Sequence, residues 1–305
     1  MLKIGKILWP TDGSEEAISA LNYARSLAKG FNSEITGLHV IEIVSRKILS
    51  FAGDKIDVDE WVRDSTSKWV GTFDKIQEEL KREGFKFTYK VTASAADEEI
   101  IRVANEEKVD LIVMGKRGLG LVDRVLIGST ALRVLRESGM PVLIAKKRDR
   151  GGEINIRNIL VPFDIFEGTD SALLYAINMA EKMKASISAL YVFWLVNHDY
   201  EIPPTVLSED LMSVVEHIKK VSSGKLEKRV REIKLKSAAP EREINTKVLP
   251  GMNSAVSIID YASGNDIDLI VIHTHGRKGF QKFMLGSVTE KIIQELPCAV
   301  LTLKP

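Results

Sequence analysis

Cysteine is almost missing from this chain: Cys298 is the only one among 305 residues. That excludes an intramolecular disulfide framework and agrees with a reducing compartment. No apolar run reaches the roughly 18 residues of a membrane-spanning helix, and the opening MLKIGKILWP is too short in apolar residues before Pro10 for a secretory signal. Net charge is nearly absent too, with 43 Lys and Arg against 42 Asp and Glu, so no overall field favours nucleic acid or an anionic membrane. These absences predict a cytoplasmic protein that binds neither. What is present is ordinary for a globular protein, 45% apolar and 28% charged residues, at a length natural for two domains of about 150 residues each.

The chain repeats itself. KILWPTDGSEEAISALNYARSLA near the start and NILVPFDIFEGTDSALLYAINMA from Asn158 share an apolar run, a proline and an aspartate two residues later, followed by an Ala/Leu-periodic segment. Asp12 matches Asp164 and Val40 matches Val192 at an offset of 152, whereas Asp110 matches Asp268 and Gly128-Ser129 matches Gly286-Ser287 at 158. The charged KRDRGG, Lys147 to Gly152, falls between the copies and reads as the linker. The expected domains are residues 1–147 and 153–305.

Within each copy, short β-rich runs alternate with helical patterns, which predicts an α/β fold of two tandem, doubly wound, five-stranded parallel sheets of Rossmann-like type. Copy one reads as strands Lys6–Trp9, Glu34–Ile43, Lys86–Thr92, Leu111–Met114 and Val142–Lys146. The helices between them are Glu15–Lys29, Asp59–Glu83, Asp97–Lys108 and Thr130–Ser138. The first helix should bury Ala17, Ile18, Leu21, Ala24, Leu27 and Ala28, with Gly30 as its left-handed stop. In such folds ligands lie beyond the carboxyl ends of the strands, where strand order reverses. Asp12, Val40 and Gly115 all fall at or just after strand ends.

The loop after the fourth strand, GKRGLGLVDRVLIGST, has glycines at 115, 118 and 128 and then Ser129 and Thr130. Glycine lets a ligand approach the backbone closely. A helix opening at Gly128 offers unpaired N–H groups to an anion, with hydroxyls to add donors or reach a bound metal. Lys116 and Arg117 add positive charge beside it.

These residues resemble the universal stress protein family, whose nucleotide-binding members carry G-x2-G-x9-G-[S/T]. Gly115, Gly118, Gly128 and Ser129 match the pattern, Pro10-Thr11-Asp12 matches the family's opening Pro-x-Asp, and Val40 matches its second-strand valine. The resemblance implies a fold of the adenine nucleotide alpha hydrolase type and ATP (or ADP or AMP) with Mg²⁺. It places adenosine near Asp12 and Val40 and the phosphates on the Gly128 helix start, with Pro10, Thr11, Met114, Gly115, Lys116, Gly118, Ser129 and Thr130 as the further nucleotide-binding positions. Copy two has Asp164, Val192, Gly276, Gly286 and Ser287 in the matching places, but His273 replaces the first glycine and Ile165-Phe166 replaces Gly13-Ser14. It is expected to bind weakly or not at all.

Several residues have a second reading. Asp12 or Ser14 can cap the first helix. Ser287 with Glu290 forms an S-x-x-E capping box, while Ser129 has Leu132 at that spacing. His273-x-His275 lacks the three or four ligands of a metal site, Cys298 reads as a small buried residue, and Trp61 and Trp69 supply core or cover the cleft. Three functions remain open: an ATP-binding regulatory module, an enzyme using ATP as substrate (a slow ATPase or an adenylating type), and an interaction scaffold without nucleotide. The enzyme signatures SGGxDS, HxGH and GxxxxGK[ST] are absent. The resemblance also leads us to expect an intramolecular pseudo-dimer through the last strands PVLIAKK and CAVLTLK, since pairing would relieve two unpaired edges. The segment Val44–Asp59 is the expected mobile cover, its counterpart Val196–Asp210 being stiffened by Pro203-Pro204.

Overall fold

In the computed structural model, residues 2–42, 57–118, 127–147, 153–166, 170–194, 209–237, 239–274 and 285–304 are described. Segment 44–56, segment 196–208, residues 148–152 of the linker, His275 and Gly276 lie outside them. The chain forms two units, one of Lys3–Ile154 and one comprising Asn155–Pro305. The first contains β1 (Lys6–Pro10), α1 (Glu15–Phe31), β2 (Glu34–Glu42), α2 (Val58–Arg82), β3 (Lys86–Ser94), α3 (Ala96–Glu106), β4 (Leu111–Gly115), α4 (Ser129–Glu137) and β5 (Val142–Ala145). The second contains β6 (Asn158–Pro162), α5 (Asp170–Met183), β7 (Ser186–Trp194), α6 (Glu209–Lys234), β8 (Asn245–Gly251), α7 (Ser254–Gly264), β9 (Leu269–His273), α8 (Ser287–Glu295) and β10 (Ala299–Leu303).

Each unit has a parallel α/β sheet, as expected. Unit one runs β3-β2-β1-β4-β5 and unit two β8-β7-β6-β9-β10. The strands read as continuous apolar runs because helices cover both faces: Ile7, Leu8, Leu111, Ile112 and Val113 are fully buried. Strand order reverses between β1 and β4, and in unit two between β6 and β9. Those are the places where a crevice opens at the carboxyl ends.

The repeated aspartates of VDLIV and IDLIV tie the opposite, amino ends together. Asp110 accepts the N–H groups of Gly5 at 2.6 Å and Lys6 at 3.0 Å. Asp268 does the same for Arg157 and Asn158 at 2.9 and 3.1 Å. A carboxylate satisfies two backbone donors that the strand entry leaves unpaired, which accounts for this part of the repeat without any ligand.

Two expectations for α1 are corrected. The helix continues through Gly30 to Phe31 and stops at Asn32, which holds the left-handed conformation at φ 55°, ψ 46°. Asparagine tolerates that region, so the glycine is not needed there. Ile18 is 53% exposed; the buried stripe is Ala17, Ala20, Tyr23, Ala24, Leu27 and Ala28, and Ile18 lies to one side of it. On the same side of the sheet, α2 packs unusually close. A Cβ at Gly37 of β2 would lie 2.7 Å from the Phe73 ring and 2.8 Å from Phe87. Trp9, in register with Gly37, meets Phe73 edge-on at 6.2 Å and donates its indole N–H to the Ala17 carbonyl at 2.8 Å.

Candidate functional site

Pro10 ends β1, and the chain leaves the sheet through Thr11, whose N–H still donates to the Leu38 carbonyl of β2 at 2.8 Å. Asp12 Oδ1 accepts the Ser14 N–H at 3.0 Å, closing a short turn in which Gly13 has φ 84°, a value that favours glycine. Of the two capping candidates, Ser14 caps α1: its hydroxyl accepts the Ala17 N–H at 3.2 Å. Asp12 is therefore not the helix cap; its carboxylate stands at the crevice between β1 and β4.

Across that crevice, β4 ends in Met114 and Gly115, both buried. A Cβ at Gly115 would fall 3.0 Å from the Glu16 backbone carbon and 3.2 Å from the Ala17 nitrogen. The glycine is thus accounted for by the close approach of α1. At exposed Gly118, a Cβ would fall within the van der Waals envelope of the Asp12 carboxylate. The two expected site segments therefore meet at Asp12 and Gly118. The N–H of Gly128 donates to the Lys116 carbonyl at 3.0 Å, which ties the far end of the loop to its beginning. Lys116 itself is buried.

Gly128 is the N-cap of α4, at φ −62° and ψ 147°, without a side-chain cap. Ser129 is exposed and Thr130 half-buried in the first turn. A helix start with uncapped N–H groups, adjacent hydroxyls and Lys116 at the loop base is chemically suited to phosphate oxygens. Arg117 is not available as expected. Its guanidinium and its N–H each donate to Glu16, at 2.8 and 2.8 Å.

Val40 and its neighbour His39 point to opposite faces of β2 because strand side chains alternate. Val40, half-buried, lies in register with Thr92 of β3. The His39 ring is hydrogen-bonded through Nδ1 to the Thr11 carbonyl at 2.8 Å and stacks on Trp69 of α2, with centroids 3.6 Å apart and planes within 15°. Trp69 also approaches Gly13, where a Cβ would lie 3.2 Å from the indole edge. Trp69 therefore packs behind the Pro10–Ser14 turn, whereas Trp61 is 44% exposed. Burial holds the His39 pKa below its usual value against the opposing pull of the Thr11 carbonyl and the Asp12 charge. Sequence reasoning missed His39 and Glu16. The position of His39 in the carboxyl half of β2, beside Val40, was a usable signal; the partner of Glu16, 101 residues away, left none.

Unit two repeats the frame. Phe163 N–H donates to the Leu190 carbonyl at 2.8 Å, Asp164 Oδ1 accepts the Phe166 N–H at 2.9 Å, and Gly286 N–H donates to the Thr274 carbonyl at 2.7 Å. Val192 is buried, with Gly251 of β8 beside it. The first-glycine position differs in kind: the buried His273 ring is hydrogen-bonded through Nε2 to Ser171 Oγ at 2.9 Å, and burial lowers its pKa. The expected Ser287–Glu290 capping box does not form. Gly286 is the N-cap and Ser287 is already inside α8, where its hydroxyl is past the capping position, so Glu290 N–H donates to the Gly286 carbonyl at 2.8 Å. Both copies therefore start this helix alike, and the contrast between Ser129 and Ser287 as caps disappears. Cys298 is buried, with its Sγ 3.4 Å from the Ala299 carbonyl.

No helix among the described residues is long and apolar enough to cross a membrane. No group of three or more His, Cys, Asp or Glu among them could hold a metal ion. The chain matches the universal stress protein family over residues 3–146 and again over 155–304. A universal stress protein of Methanocaldococcus jannaschii is 34% identical over 155 residues, covering 47% of this chain and 96% of its own. One of Mycolicibacterium smegmatis is 24% identical over 314 residues, 98% of this chain and 97% of its own. The crystal structure of a universal stress protein from Archaeoglobus fulgidus has the same fold, with a TM-score of 0.70 at 21% identity and 99% of each chain covered. With two matches in succession that together span nearly the whole chain, and a whole-chain relative, the chain belongs to the universal stress protein family and carries its domain twice in tandem.

Proposed function

We propose that this protein is an ATP-binding regulatory stress-response protein, cytoplasmic, with nucleotide held in the first domain, residues 1–147, and weakly or not at all in the second, 153–305. The observation that carries this reading is the meeting of Asp12 with Gly118 at the strand-order reversal, next to the uncapped start of α4 at Gly128. Pro10, Thr11, Asp12 and Val40 hold adenosine; Met114, Gly115, Lys116, Gly118, Gly128, Ser129 and Thr130 hold the phosphates, the two hydroxyls on the side of Mg²⁺. Bound ATP supplies a triphosphate whose charge the helix start and Lys116 neutralise. The reading of the second domain rests on His273, which stands at the sequence position where the first domain has Gly115 and no side chain, and carries a ring hydrogen-bonded to Ser171 of α5. There Asp164, Val192, Gly276, Gly286 and Ser287 are the corresponding positions.

Binding with slow hydrolysis at most means that the protein acts through different affinities in two conformations. Val44–Asp59 is the segment proposed to reorder over nucleotide, and β5 and β10 the strands proposed to join the domains as a pseudo-dimer. The test is calorimetry with ATP and Mg²⁺, alongside ion-exchange analysis of what the denatured protein releases. One site per chain is expected. Two equal sites would refute the asymmetry, absence of binding would leave the scaffold reading, and rapid multiple turnover to ADP or AMP would favour the enzyme.

A further inference from the structure

Glu16 and Arg117 meet where α1 begins and β4 has just ended. One Glu16 carboxylate oxygen accepts the Arg117 N–H at 2.8 Å, and the other accepts its guanidinium at 2.8 Å. The side chains are only 18% and 17% exposed, so the pair is largely withdrawn from water. A loop amide and a guanidinium converging on two oxygens form the donor set that a phosphate would use. Here the chain's own carboxylate fills it.

The fit is built into the backbone. A Cβ at Gly115 would lie 3.0 Å from both the backbone carbon and the Cβ of Glu16, so glycine at 115 is what admits Glu16. The second copy reverses the pattern: Gly168 stands at the Glu16 position, His273 at that of Gly115 and His275 at that of Arg117. The small residue has moved to the other partner. Both members of the ion pair are gone from the copy that lost the first glycine of the motif.

We propose that Glu16 is a specificity-determining residue of the first domain, an internal phosphate stand-in that weighs against nucleotides with long phosphate chains. The proposal rests on the nucleotide reading above. AMP, with one phosphate, can occupy the site while the pair stays closed. A triphosphate reaching the 116–118 loop must either displace the carboxylate from Arg117 or remain beside its negative charge. In both cases Glu16 reduces the preference for ATP over AMP, and loss of its charge restores that preference.

The test is Glu16→Gln, which keeps the shape and one acceptor while removing the charge. ATP, AMP and inorganic tripolyphosphate are titrated into the full-length wild-type and variant proteins, with Glu16→Ala as the second variant and thermal melting as the check on folding. Glu16→Gln should bind ATP and tripolyphosphate roughly tenfold more tightly, the scale of one charge-assisted hydrogen bond, with AMP changed less than about twofold. An unchanged ATP-to-AMP ratio overturns the proposal while leaving the nucleotide reading standing. Weaker ATP and tripolyphosphate binding also overturns it, making Glu16 a support for the loop instead. Tighter tripolyphosphate binding with no binding of ATP or AMP defeats the nucleotide reading and, with it, the role of Glu16 in nucleotide specificity. Binding of none of the three ligands to any of the proteins defeats both.

Discussion

Gly118→Ala tests the proposed site at the contact on which it depends. The added methyl would fall inside the Asp12 carboxylate, so either Asp12 or the loop must move. Overpacking of this kind costs about 1–3 kcal/mol where the neighbours are fixed. Gly118 is exposed, so the free protein can relieve the clash by shifting the loop, and the melting temperature should hardly change. In the proposed site a bound nucleotide requires Asp12 and the loop in place together, so on that proposal the cost is transferred to binding. It should weaken ATP affinity about tenfold to a hundredfold, since 1.4 kcal/mol is a factor of ten. The control is Gly139→Ala in the same unit, where a Cβ meets nothing within 4 Å; its affinity should match wild type. Calorimetry reads affinity and differential scanning reads stability. An affinity within twofold of wild type, with normal melting, would mean that the nucleotide does not use Asp12 and Gly118 together.

Two further outcomes follow from the packing and from the half-buried His39 and buried His273. Gly37→Ala should destabilise unit one by about 1–2 kcal/mol, the overpacking against Phe73 and Phe87 less the smaller gain from replacing glycine in a strand; a denaturation midpoint equal to wild type would show that α2 yields easily. Burial lowers the pKa of both His39 and His273 from the usual 6.5, so the unfolded chain takes up these protons more readily than the folded one. Their contribution to stability is therefore complete above about pH 6.5 and is lost as pH falls below it through the folded values. His39→Gln should flatten that slope in unit one, and a folded His39 titrating above 6.5 by NMR would contradict the assignment.

By itself the sequence determined the duplication, the alternation of strand and helix, and, to within a residue, the ends of β1, β2 and β4, although Val40 lies inside β2 rather than at its end. These are local or periodic properties: apolar runs buried on both faces, helical stripes, and glycine and proline at turns. The sequence left competing caps unranked or misranked, as at Ser14 against Asp12, Asn32 against Gly30, and Gly286 against Ser287, while the start of α1 at Glu15 was read correctly and its end moved from Lys29 to Phe31. Capping depends on backbone angles that neighbouring residues set jointly, and composition alone does not rank two adequate candidates. Tertiary structure decided the rest. It placed Glu16 on Arg117, Trp69 on His39 and Asp12 against Gly118, contacts joining residues far apart in sequence. It also gave the glycines separate reasons, Gly115 to admit α1 and Gly118 to clear Asp12. A motif records only that a side chain is missing; what approaches the vacant side is fixed when β1 and β4 become neighbours in the sheet.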